Sequence, residues 1–279
     1  MSAAGPLMRH TSSVRRRGGL VGGVMLALVI GIVAAAPLAG AGARLRTGID
    51  VRVVLSSGRA FILHVPPQLR SRPDAAAGRP ALMVLHGLTS NAHDVAAMTG
   101  FDRLADRDGV LVAYPEGVRN SFNAGLCCFP ASELGVDDVG FLSAVVADLH
   151  ARGASRVAAV GFSNGGMMAY RLACTRPDLV DTIGVVAGTL EIPVCNGPIR
   201  ALHLHGLDDF TVPPGGAPHS GLLRAFLRDV RTIPGAAPGS DIELHLLPNY
   251  THRWSVSGDP IDETQAFWRF AHMGSATPS

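Results

Sequence analysis

Gly161-Phe162-Ser163-Asn164-Gly165-Gly166 lies between the apolar run Arg156 to Val160 and a stretch whose bulky residues Met167, Met168, Tyr170 and Leu172 recur at helical spacing. A short apolar run followed by a 3.6-residue period reads as a strand, a sharp turn and a helix. Such a turn needs glycine two residues either side of its centre, because a side chain there would meet the strand or the helix. The serine at its centre is then exposed, close to the positive end of the helix dipole. G-x-S-x-G alone is a weak signal; between a strand and a helix it marks Ser163 as a candidate nucleophile.

Working outward, further apolar runs punctuate the chain at Ala81 to Leu85, Val110 to Tyr114, Thr182 to Ala187, Ala201 to His205 and Ile242 to Leu247. Amphipathic stretches fall between and after them, among them Asp137 to Ala151, Ser220 to Arg231 and a last helix from about Asp262 to His272. This β-α-β alternation predicts an α/β fold with a mostly parallel, doubly covered sheet. Val51 to Leu55 and Phe61 to Val65, joined around Ser56-Ser57-Gly58, predict an N-terminal antiparallel hairpin. Pro66 to Pro80, rich in Pro, Ala and Gly, reads as a surface connection. The short link between Thr182–Ala187 and Ala201–His205 leaves no space for a cap domain, so an open site is expected.

In such sheets functional groups gather at the carboxyl ends of the strands. A serine hydroxyl is a poor nucleophile until a base takes its proton, and the base needs an orienting carboxylate. Downstream, the run Ala201 to His205 ends in Gly206-Leu207-Asp208-Asp209, which makes Asp209 the expected acid and Asp208 its rival. The run Ile242 to Leu247 leads into Pro248-Asn249-Tyr250-Thr251-His252, which places His252 where a base belongs. His245 lies within the strand, and His272 on the last helix has no comparable position. The oxyanion donors are expected to be the backbone N–H groups of Asn164 and of Leu88, in the turn His86-Gly87-Leu88-Thr89. His86 is expected to brace that turn, and Asp137 and Asp138 to cap the helix that follows them. His203 and His205 alternate on one strand face, but that face lies under helices and no further histidine follows at ligand spacing, so neither a metal nor another cofactor is expected.

Composition narrows the alternatives. With 279 residues and 47% hydrophobic content the chain can bury one large core. All 24 basic residues are arginine, which excludes a Schiff-base lysine and the Gly-Lys-Ser/Thr phosphate loop. Residues 1–43 hold Arg15-Arg16-Arg17, an apolar stretch from Leu20 to Ala36, and Ala41-Gly42-Ala43, the pattern of a cleaved export signal, with an uncleaved membrane anchor as the rival. Four of the arginines and no acidic residue fall there, leaving 20 Arg against 22 Asp plus Glu in the expected catalytic domain, residues 44–279. Nucleic acid is therefore a poor partner. Export makes disulfides the expected state of Cys127, Cys128, Cys174 and Cys195. Bonding two adjacent cysteines strains the backbone, so Cys127 and Cys128 are expected to reach Cys174 or Cys195.

The segments LMVLHGLTSN from Leu82, VDDVGF from Val136, GFSNGGMMAYRLAC from Gly161, HGLDD from His205 and THRW from Thr251 together resemble the polyhydroxybutyrate depolymerase/feruloyl esterase group of extracellular α/β-hydrolases. The similarity runs from about Gly58 onward. It implies an α/β-hydrolase fold and an exported serine esterase, with nucleophile, acid and base at Ser163, Asp209 and His252. It also implies an ester substrate, polymeric in some members, and a substrate-side wall at Trp254. Two departures lie nearby: Asn249-Tyr250-Thr251-His252-Arg253-Trp254-Ser255 replaces a G-G-H-x-W-P pattern, and Phe122 stands where the group has a tryptophan before Asn123-Ala124-Gly125. Phe122 and Trp254 are the expected substrate contacts. A serine peptidase of the same fold, a metallohydrolase and a non-catalytic exported binding protein are the other readings.

Overall fold

The computed structural model describes residues 47–70, 77–193, 195–214 and 239–274. The expected export signal and the expected helix Ser220 to Arg231 lie outside them. The strands are β1 (Ile49–Val54), β2 (Ala60–Val65), β3 (Pro80–Leu85), β4 (Leu111–Pro115), β5 (Arg156–Phe162), β6 (Thr182–Val186), β7 (Arg200–Gly206) and β8 (Asp241–Leu247). They form one sheet in the order β1-β2-β4-β3-β5-β6-β7-β8. The hairpin β1–β2 and the pair β2–β4 are antiparallel. The remaining pairs are parallel.

Among the described residues the helices are α1 (Pro67–Arg70), α2 (Ala92–Thr99), α3 (Phe101–Asp108), α4 (Asp138–Ala151), α5 (Asn164–Thr175) and α6 (Glu263–Phe270). The Pro66–Pro80 connection is thus not wholly irregular: Pro67, whose fixed φ suits a first helical position, starts the single turn α1. Asn91 caps α2 by accepting the Asp94 N–H, and Gly100, with φ 63°, ends α2 and starts α3. A continuous helix cannot pass that left-handed residue.

Every residue of β3 is buried, because layers cover both faces of the sheet. Alternate residues serve opposite cores. Ala81, Met83 and Leu85 of β3 join Val157 and Ala159 of β5 in the core that holds α4 and α5. Leu82 and Val84 join Ala158 and Val160 in the core that holds α2, α3 and α6. Each large apolar side chain fully buried there contributes roughly 1.5–3 kcal/mol before ordering entropy is subtracted. Among the described residues no helix is long and apolar enough to cross a membrane.

Two buried titratable groups tie outlying segments to this frame. His64 of β2 places Nδ1 2.8 Å from Asp50 of β1 and Nε2 2.9 Å from Asp106 of α3. Asp102 of α3, which takes the Tyr114 hydroxyl proton bond at 2.6 Å, lies 3.6 Å away. Both ring nitrogens face acceptors, so the cluster holds an imidazolium. Burial works against the charge, but Asp102, Asp106 and Asp50 outweigh it and the His64 pKa is raised. Glu263, at the start of α6, accepts the Ser255 N–H at 2.7 Å. Burial raises its pKa to about 8 despite that bond.

The two groups give separable pH signatures. His64 has a raised folded pKa, so its stabilisation is complete below the unfolded value and is lost as pH rises through the folded value. The melting-temperature difference between wild type and His64→Gln should therefore shrink as pH rises above the ordinary histidine value of 6.5 through the raised folded value. Glu263 stays protonated in the fold while the unfolded chain ionises, which costs up to about 5 kcal/mol as pH climbs from 4.5 to 8. Glu263→Gln should be more stable than wild type at pH 9 in urea melts, with the advantage gone by pH 5.

Candidate active site

The turn between β5 and α5 is as tight as its glycines require. A Cβ on Gly161 would come within 2.2 Å of the Gly165 backbone, and one on Gly165 within 2.2 Å of the Leu85 carbonyl oxygen. Because these backbones touch, Ser163 is forced to φ 52° and ψ −120°, a conformation unfavourable for a side-chain-bearing residue. Its N–H is held by the Val186 carbonyl at 2.8 Å and its carbonyl accepts the Met167 N–H at 3.0 Å. The turn aims the hydroxyl away from the helix: Ser163 Oγ lies 2.9 Å from Nε2 of His252.

His252 and the acid are brought together by the ends of β7 and β8. The Leu207 N–H binds the Leu247 carbonyl at 2.9 Å and the Asp208 N–H binds the Tyr250 carbonyl at 2.9 Å, so the two loops share one backbone network. Asp209, not its neighbour Asp208, faces the histidine. Its Oδ2 lies 2.7 Å from His252 Nδ1, while its Oδ1 accepts the N–H groups of Thr211 and Val212 at 2.9 and 2.8 Å. Burial alone would raise its pKa, but the bonds from His252 and Val212 prevail and lower it. Asp209 is therefore an anion fixed at both oxygens, and it holds the imidazole with Nε2 toward the serine.

A second layer of histidines supports the acid turn. His205 Nε2 binds the Val212 carbonyl at 2.8 Å and lies 3.5 Å from Asp209 Oδ2. His205 Nδ1 is 3.1 Å from His203 Nε2, and His203 Nδ1 is 2.9 Å from the Tyr170 hydroxyl on α5. Burial lowers the pKa of both histidines. Neutral rings fix the direction of the chain: Tyr170 donates to His203, His203 to His205 and His205 to the Val212 carbonyl. The His203-x-His205 pair thus connects α5 to the Asp209 turn.

The Leu88 turn packs directly on Ser163, since a Cβ on Gly87 would lie 3.5 Å from the Ser163 Cβ. Among the described residues the N–H groups of Leu88 and Asn164 have no acceptor, which leaves two donors beside Ser163. His86 braces this turn as expected, with Nδ1 donating to the Gly87 carbonyl at 2.8 Å and Nε2 accepting the Gly117 N–H at 3.0 Å. Burial lowers its pKa, in keeping with that neutral form. Asp137 caps α4 through the Gly140 N–H at 2.8 Å. Asp138 does not cap: it is buried, pairs with Arg59 at 2.7 Å and accepts the Asn123 N–H at 2.7 Å.

Three expectations require correction. Phe122 is fully buried; its backbone N–H and carbonyl are clamped by the Asn164 side chain at 2.8 and 2.9 Å, so it supports the Ser163 turn. Trp254 is 6% exposed, packs edge-on against Phe101 and donates Nε1–H to Thr264, which anchors the loop after His252. Neither lines the groove beside the site. The third correction concerns the cysteines. Cys127 bonds to Cys128 and Cys174 to Cys195. The peptide between Cys127 and Cys128 is cis, which brings their Cα atoms to 3.1 Å and both side chains to one side.

The groove has a volume of about 690 Å³ and is walled by Leu88, Met167, Val212, Phe129 and the Cys127–Cys128 pair, with Thr189 and Glu191 as polar members. Sequence reading missed these walls, since Thr189 and Glu191 follow β6 without any motif. The connection from β6 to β7, residues 187–199, holds no helix among the described residues. The arrangement can deliver a proton-relayed hydroxyl to an electrophile whose oxygen sits at the Leu88 and Asn164 amides.

Solved structures share this fold. The acetyl xylan esterase from Aspergillus awamori superposes with a TM-score of 0.59 at 15% identity, over 81% of this chain and all of that one. A ferulic acid esterase from Anaeromyces mucronatus gives 0.54 at 17% identity, over 82% of this chain and 91% of that one. In sequence, NocK of Nocardia uniformis subsp. tsuyamanensis, an esterase by name, is 39% identical over 166 residues, 55% of this chain and 46% of its own length. The feruloyl esterase C of Emericella nidulans is 30% identical over 173 residues, 57% of this chain and 58% of its own. The chain thus matches about half of the length of these curated relatives. The family model for esterase PHB depolymerase matches residues 61–201, from β2 through the nucleophile turn to the first residues of β7. With half of its length matched, the chain belongs to the esterase PHB depolymerase family.

Proposed function

We propose that the chain is an exported serine esterase that hydrolyses carboxylic esters through an acyl-enzyme. The observation that carries this reading is the continuous hydrogen-bonded series from Ser163 Oγ through His252 to Asp209, at 2.9 and 2.7 Å. His252 takes the Ser163 proton as the serine oxygen attacks the ester carbonyl. The Leu88 and Asn164 amides hold the oxyanion, and His252 then protonates the departing alcohol. Water repeats the sequence on the acyl-enzyme and releases the acid. Asp209 keeps the imidazole in the required tautomer throughout.

The substrate reading rests on the groove and on the relatives. Leu88, Leu126 and Phe129 are exposed apolar walls of an open groove, suited to an acyl or alkyl group that need not be engulfed. Relatives named for feruloyl esters and structural neighbours named for acetyl xylan and ferulic acid support an ester, polymeric or small. Two disulfides and the signal pattern of residues 1–43 support export.

The test is turnover of p-nitrophenyl acyl esters by protein lacking residues 1–43. Wild type should turn them over without cleaving peptides. Ser163→Ala and His252→Ala should each lose on the order of 10³-fold or more in kcat, and Asp209→Asn on the order of 10²-fold or more. Full esterase activity in Ser163→Ala, or peptide cleavage by wild type, would overturn the reading.

A further inference from the structure

Glu191 is 6% exposed, yet it lines the same groove as Leu88 and Met167. Its Oε1 accepts the Thr189 hydroxyl, and among the described residues its Oε2 has no partner. Among the described residues no arginine or histidine stands in the groove wall; the other described members are Thr211 and apolar or disulfide-bonded side chains. Its second oxygen is therefore open to a hydrogen-bond donor that enters the groove, and a charged donor makes the stronger bond.

The group is also rigidly mounted. The Glu191 carbonyl accepts the Leu126 N–H at 3.1 Å, and Gly125 approaches it so closely that a Cβ there would lie 2.3 Å from that oxygen. Downstream, the Cys174–Cys195 bond and the Asn196 N–H, bound to the Cys174 carbonyl at 2.7 Å, tie the same loop to α5. Because Thr189 spends its only proton on Glu191, its oxygen is left as an acceptor. The two carboxylate oxygens and the Thr189 oxygen offer three acceptors in the wall of a largely apolar groove, which matches the three N–H bonds of a primary ammonium.

We propose that Glu191 and Thr189 form a recognition subsite for a protonated primary amine carried by the ester substrate, so that the enzyme prefers aminoacyl or amino-alcohol esters and disfavours anionic ones. This rests on the reading of Ser163 as an esterase nucleophile.

Two matched series test it. The acyl series comprises p-nitrophenyl hexanoate, 6-aminohexanoate, 6-hydroxyhexanoate and the adipate monoester. The alcohol series comprises the acetates of hexanol, 6-aminohexanol and 6-hydroxyhexanol. In one series, wild-type kcat/KM for the amine should exceed that for the plain ester by roughly tenfold or more, and in the acyl series adipate should be the poorest substrate. The wild-type ratios need no variant. Glu191→Gln, checked for folding by its melt, should bring the amine-to-alkyl ratio to about one. Equal wild-type rates for amine and alkyl esters in both series, a hydroxyl ester matching the amine, or an unchanged ratio in Glu191→Gln would overturn the subsite. Failure of wild type on every ester, the plain ones included, would instead overturn the esterase reading.

Discussion

The close approach of three backbones at the end of β5 is the constraint on which the site depends. Gly161 touches Gly165, and Gly165 touches the end of β3 at Leu85. No side chain fits between them, so α5 begins almost on top of the sheet. That contact leaves Ser163 no option but positive φ. The unfavourable conformation persists because the surroundings over-determine it: the Val186 carbonyl holds the serine N–H, and Asn164 locks onto both polar groups of the Phe122 backbone. What results is a hydroxyl presented at a fixed point, with open amides at Leu88 and Asn164 near it.

Everything else brings polar groups to that point and keeps them there. β7 and β8 run parallel and end together, so the Asp209 turn and the His252 loop arrive side by side. The buried series Tyr170, His203, His205 then braces the acid turn against α5, the helix that Ser163 starts. Ser163 and Asp209 are thus joined twice, once through His252 and once through this second series. A buried polar network of this kind is an asset only when its members are satisfied, and here each histidine both donates and accepts.

Much of this was legible from residue pattern. The doubly covered strands announce themselves as continuous apolar runs, and G-x-S-x-G between strand and helix locates Ser163. Asp209 and His252 followed from their positions just past strand ends, a rule of topology more than of local chemistry. What could not be read depends on through-space contact. Nothing in the sequence distinguishes Phe122 and Trp254 as buried supports, since an aromatic near a site packs beneath it as readily as beside it. Cys127 bonds to its own neighbour Cys128, a pairing that composition does not signal. Asp138 resembles a cap in sequence, but Arg59 from the start of β2 captures it. Glu191 carries no motif; only the fold reveals a carboxylate facing an apolar groove.

The central claim is that one hydroxyl, Ser163, is singled out from all others by its turn and by His252. Covalent labelling with an alkyl fluorophosphonate, followed by digestion and mass mapping, tests it directly. The account predicts a single phosphonylated residue, Ser163, with labelling lost when His252 is replaced by alanine. Modification of a different serine, or no labelling of the folded wild-type protein, would contradict it.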